Sequence, residues 1–165
     1  MRNKVLSFAV ILISAASVAY ATFSTNLTVD GTGTATGNWD MQIISITPTA
    51  QTGATDHVST PSFTATSATF NVDLAYPGAT SSYQVVIKNL GNITAKLSSV
   101  TDLTSINNAA PTYLTYALSG PAINSTLGPN AQVTATVTVT WASSATTNPS
   151  GASKAATITF NYVQN

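Results

Sequence analysis

The chain has 165 residues, 44% hydrophobic and only 6% charged, with no formal net charge and no cysteine. A surface this poor in cations gives nucleic-acid phosphates nothing to bind to, and without cysteine there are no disulfides, thiolate metal sites or cysteine nucleophiles. With His57 as the one histidine and no glutamate, no zinc-protease site can be written either.

In chain order, Arg2 and Lys4 precede an apolar run from Val5 to Val18, which is short for a membrane span of about 20 residues. Ala19-Tyr20-Ala21 follows with the form of a signal-peptidase site, so a signal-peptide helix is expected over 1–21, with cleavage between Ala21 and Thr22. The product is then secreted and meets the membrane only transiently, during export. Residues 22–37 are expected to form an N-terminal strand, a candidate donor, and residues 38–165 a single β-sandwich domain.

The stretch TFSTNLTVDGTGTATG alternates strictly. Phe23, Thr25, Leu27, Val29, Gly31, Gly33 and Ala35 share one apolar or small face, opposite a wholly polar one. At about 3.3 Å per residue it would span roughly 50 Å, well beyond an ordinary strand. Such a strand at a free N-terminus is either the first strand of its own sandwich or a donor strand that completes a neighbour's sheet. Burying Phe23, Leu27 and Val29 alone does not offset the entropy of ordering fifteen residues. Donation therefore requires a groove with two open strand edges, so that ladder hydrogen bonds form on both sides.

Trp39–Thr47 carries Met41, Ile43, Ile44 and Ile46 on both faces, the pattern of a strand interior to a sandwich. Pro48–Pro61 reads as a polar loop, and 63–74 as a strand with Phe70, Val72 and Leu74 inward. Pro77-Gly78 suits the centre of a type II turn. Residues 81–89 and 93–100, joined through Leu90-Gly91-Asn92, read as a hairpin with Tyr83, Val85 and Ile87 on one face. Loop is expected over 101–111, a strand over 113–119, and a turn at Gly128-Pro129-Asn130. The clearest strand is 132–142, with Val133, Ala135, Val137, Val139 and Trp141 facing the core. A last strand is expected over 155–163. About eight strands, punctuated by Gly and Pro, predict an all-β, two-sheet sandwich of jelly-roll or immunoglobulin-like type.

No catalytic, cofactor-binding or metal-binding residues are expected. His57 beside Asp56 has no elbow nucleophile to serve. Gly31, Gly33 and Gly37 miss the dinucleotide fingerprint by one residue and precede no helix. The five aspartates are scattered and form no calcium loop. Asn26, Asn92 and Asn124 each begin an N-glycan acceptor triplet.

The Ala-Tyr-Ala site followed by Thr22-Phe23 and a Thr-rich strand resembles the TasA and camelysin group of biofilm-matrix fibre proteins. So does the run from Tyr76-Pro-Gly-Ala through Tyr83-Gln-Val-Val-Ile-Lys-Asn-Leu-Gly-Asn-Ile-Thr-Ala-Lys-Leu-Ser-Ser-Val100. Archaeal bundling-pilus and thread subunits look similar. The likeness is closest over 76–100, and the chain departs from it at Ala79, where the family usually has an acid. The resemblance implies a jelly-roll subunit that polymerises with identical copies by passing its N-terminal strand into the next subunit. Other matrix or surface proteins are further candidate partners. The competing expectation is a monomeric adhesin or carbohydrate-binding sandwich on the cell surface.

Overall fold

The computed structural model describes Thr28, residues 31–146 and residues 153–165. The expected signal peptide, its cleavage pair Ala21 and Thr22, and Phe23, Thr25, Asn26, Leu27 and Val29 lie outside the described residues. The chain divides into two units, Met1–Ala35 and Thr36–Asn165. Every strand described belongs to the second.

That unit is all-β and sandwich-like. One sheet has four antiparallel strands in the order β1 (Met41–Thr52), β6 (Thr80–Asn89), β10 (Gln132–Trp141) and β8 (Leu114–Ser119). A second has three, in the order β11 (Phe160–Gln164), β7 (Ala95–Val100) and β9 (Thr126–Leu127). Two short pairs complete the described ladders: β2 (Ala54–Asp56) with β5 (Val72–Leu74), and β3 (Ser62–Phe63) with β4 (Ala68–Thr69).

The inner strands β6 and β10 set the core. Their register puts Tyr83 opposite Val137, Val85 opposite Ala135 and Ile87 opposite Val133. The alternating apolar residues therefore fall on one face, and all but half-buried Val133 are buried. Fully buried Ser81 shares that face, while Thr80, Ser82 and the threonines of β10 take the other, where Ser82 and Thr138 share a hydroxyl hydrogen bond of 2.8 Å. The expected orientation of Trp141 toward the core holds as well.

β1 corrects the sequence reading. It is an edge strand, and its mixed apolar pattern comes from a bulge between Ile43 and Ser45, where Ile44 is the extra residue. A second irregularity follows Pro48, and the strand runs on to Thr52 where loop was expected. Proline is tolerated there because an edge strand leaves one side of its ladder unpaired.

The expected hairpin over 81–100 does not form. Both edges of β6 are already taken, by β1 and β10, so the chain turns the corner and β7 joins the other sheet. Buried Asn89 stitches this corner: its Nδ2 donates to the carbonyls of Ile93 (2.8 Å) and Leu127 (2.9 Å), and its Oδ1 accepts from Gly91 N–H (3.0 Å). The Pro77-Gly78 turn is present, with Ala79 N–H bonded to Tyr76 O at 3.0 Å and Gly78 at φ 94°. The strand expected over 63–74 is broken by a turn between Thr64 and Ser67, although Phe70, Val72 and Leu74 still pack on the core.

Within the expected loop 101–111, residues Thr104–Asn108 form a short helix, α1. The Asp102 carboxylate accepts from the Thr104 hydroxyl and amide ahead of it, and these bonds hold the acid below its ordinary range. The last strand is shorter than expected. Residues 154–159 keep the alternation, with Ala156 and Ile158 inward, but the ladder begins only at Phe160.

Candidate functional site

Between the four-stranded sheet and the segments facing it lies a cleft of about 1040 Å³. Its floor is the inner face of the sheet, with Ile46, Val85, Ile87, Val137 and Val139. One wall is β5 with Phe70 ahead of it; the other is residues 153–159 and β11. For scale, an engineered core cavity of about 150 Å³ already holds benzene. A sandwich core normally closes to crystal-like density with few voids. Here Phe70, Val72, Leu74, Ile158, Phe160 and Tyr162 pack against the core yet stay only partly buried. The core is incomplete along this line.

The walls share a second property. Among the described residues, β5 pairs only with β2, and β11 only with β7, so each has one edge with no described partner strand. Two buried polar atoms among the described residues have no hydrogen-bond partner, the Trp141 indole N–H and the Tyr162 hydroxyl, and both belong to cleft-lining residues. Burial raises the Tyr162 phenol above its ordinary pKa. The cleft thus has apolar surface and is lined by two strands that each have a free edge among the described residues, and an extended polypeptide can use both features.

The β2–β5 wall is fastened from beneath. Tyr83, fully buried on β6 and stacked on Phe70 at 4.4 Å, donates its phenolic hydrogen to Asp56 on β2. His57, read from sequence as a solvated loop residue, lies 2.9 Å from Asp73 on β5, with both side chains substantially exposed. Among the described residues, no group of three or more His or Asp side chains converges as a metal site would require.

The outer edge of β8 is closed by side chains. Asn107 on α1 pairs with the peptide groups of Tyr116, accepting its N–H at 2.8 Å and donating to its carbonyl at 2.9 Å. Lys154 Nζ donates to the carbonyls of Leu114 (2.8 Å) and Asn107 (3.0 Å), and partial burial lowers its pKa. Tyr116 OH in turn donates to the Lys154 carbonyl. An edge treated this way accepts no further strand there. Sequence reasoning missed both residues, because a lone Asn or Lys in a polar loop carries no periodic signal.

Of the residues predicted on the N-terminal strand, Gly31, Gly33 and Ala35 are described. They are exposed and carry no ladder. Among the glycan acceptor candidates, Asn124 is exposed in a turn at φ 71°. The Asn92 amide is engaged at both ends, by Asn38 N–H and the Thr36 carbonyl. Comparison of the chain with protein-family models, with curated proteins and with solved structures gives no match.

Proposed function

We propose that this chain is a structural subunit of an extracellular filament, a biofilm-matrix fibre or bundling pilus, and not an enzyme. In this reading the subunit is a jelly-roll-type sandwich that lacks one strand. The N-terminal strand of the next copy, residues 22–37, fills the gap. Phe23, Leu27 and Val29 enter the cleft, while Gly31, Gly33 and Ala35 let the backbone approach closely.

The observation that carries the reading is the cleft itself: apolar on its floor, and walled by β5 and β11, each with an unpartnered edge among the described residues. An apolar floor beside two strands with a free edge supports the reading, because donation requires both. The occupant is assigned to a second copy because the chain carries a segment of matching chemistry, long, one-faced and rich in β-branched threonine.

The mature chain starting at Thr22 and a chain starting at Asn38 should be compared by electron microscopy and sedimentation. The first is expected to form filaments; the second should stay unpolymerised, bind a peptide of residues 22–36, and then resist further subunit addition. Leu27→Asp should behave like the truncation, since it puts a charge into a dry core, whereas Asn26→Asp on the polar face should not. A mature chain that is a monodisperse monomer at every concentration would favour the adhesin or carbohydrate-binding alternative. Filaments that form equally well without residues 22–36 would exclude strand donation.

A further inference from the structure

Just ahead of β1, residues 36–40 run beside the corner between β6 and β7. Asp40 O accepts from Leu90 N–H (2.7 Å) and Gly91 N–H (3.2 Å), and Asn38 O accepts from Asn92 N–H (3.0 Å). The Asn92 side chain then extends the pattern. Its Oδ1 accepts from Asn38 N–H at 2.7 Å and its Nδ2 donates to Thr36 O at 3.0 Å. A primary amide presents the same donor and acceptor as a peptide group, so Asn92 acts as one more rung where the main chain has already turned away. Gly91 permits the approach: a Cβ there would stand 2.3 Å from Asn38 O and 2.8 Å from Asp40 N, against rigid backbone. Asn92 is exposed, so core packing does not account for these bonds.

The bonds stop at Thr36, and residues 31–35 beyond it carry no ladder. We propose that Gly91 and Asn92 form a clamp holding the base of the N-terminal segment on its own domain, and that in a filament this clamp sets the stiffness of the joint between consecutive subunits. The second half rests on the filament reading above; the first half does not.

The test uses the full mature chain with Asn92→Ala and Asn92→Asp, the latter keeping the acceptor for Asn38 N–H but losing the donor to Thr36 O. Hydrogen exchange at the Asn38 amide should quicken about fivefold or more in Asn92→Ala, the worth of one net hydrogen bond, and stay near wild type in Asn92→Asp. Filaments of Asn92→Ala should form in normal yield but bend more, with persistence length in micrographs at least halved. A merely structural role would lower the melting temperature and leave filament bending unchanged. Unchanged Asn38 exchange in Asn92→Ala overturns the clamp, and filaments of wild-type stiffness overturn its role at the joint. If the wild-type chain forms no filaments, the filament reading fails and Asn38 exchange alone decides the clamp.

Discussion

Tyr83 and Asp56 are joined by a phenol-to-carboxylate hydrogen bond that ties the buried inner strand β6 to β2, behind one wall of the cleft. Burial first, and the Asp56 bond second, push the Tyr83 phenol up to about 12. A raised folded-state pKa on an acid favours the neutral form in the fold. The stability it contributes is therefore complete below about pH 10, the unfolded value, and is lost as pH rises toward 12. Tyr116 and Tyr162 are raised by burial and act in the same direction. Urea melts should show stability falling between pH 10 and 12. Tyr83→Phe should flatten part of that fall and cost about 1–3 kcal/mol at neutral pH, because Asp56 loses its donor. An unchanged pH profile in the variant would count against the bond.

Ile158 offers a direct test of the cleft. It is partly buried on the wall that carries no ladder, so Ile158→Asp should fold while placing a charge in the groove. Such a subunit keeps its N-terminal segment. It should donate into a wild-type cleft and accept nothing, terminating growth. Small fractions mixed into wild type should shorten the filaments seen by microscopy; unaltered lengths would show that the cleft is not the acceptor.

Asn107→Ala removes both bonds to the Tyr116 peptide. A loss of about 1–3 kcal/mol is expected from the unpaired groups. The reopened β8 edge should add side-by-side association, visible as light scattering that grows with concentration. Loss of stability without new association would mean that Asn107 braces the strand but does not guard its edge.

His57→Ala should change stability by less than about 1 kcal/mol, because the pair with Asp73 is solvent-exposed, and it should assemble as wild type does. A hydrolytic turnover that disappears in this variant would overturn the non-enzymatic reading.

Protein recovered from the cell surface should begin at Thr22, following Ala19-Tyr20-Ala21. Intact mass decides this, and a start at Met1 would replace cleavage with an uncleaved anchor.

The sequence was most informative where one periodicity ran undisturbed. β10 alternates without interruption and β6 departs from alternation only at Val86 and at buried Ser81, and their inner faces are those that the alternation of Tyr83, Val85 and Ile87 indicates. It was least informative where a single residue changed the phase. The bulge at Ile44 made an edge strand resemble an interior one. The corner at Gly91-Asn92 has the composition of a hairpin turn, and only the prior occupation of both β6 edges sends β7 elsewhere. The cleft could be anticipated only as a requirement of strand donation, since no local pattern records a gap between segments distant in sequence. Asn92 and Asn107 act on backbone 54 and 9 residues away, distances at which an asparagine looks like any other polar loop residue.

Most of the fastenings named above are made by neutral groups: the Asn89 stitch, the Asn92 clamp, and the Asn107 half of the β8 seal. Among the described residues the one salt bridge is His57–Asp73, and it is exposed. Mobile ions weaken attraction between exposed charges over a few ångströms to a few tens of ångströms, but they have little purchase on a hydrogen bond between two uncharged amides. The mechanical frame of this molecule is therefore largely insulated from the ionic strength of its surroundings, so brine and fresh water should leave the same corner and the same edge intact.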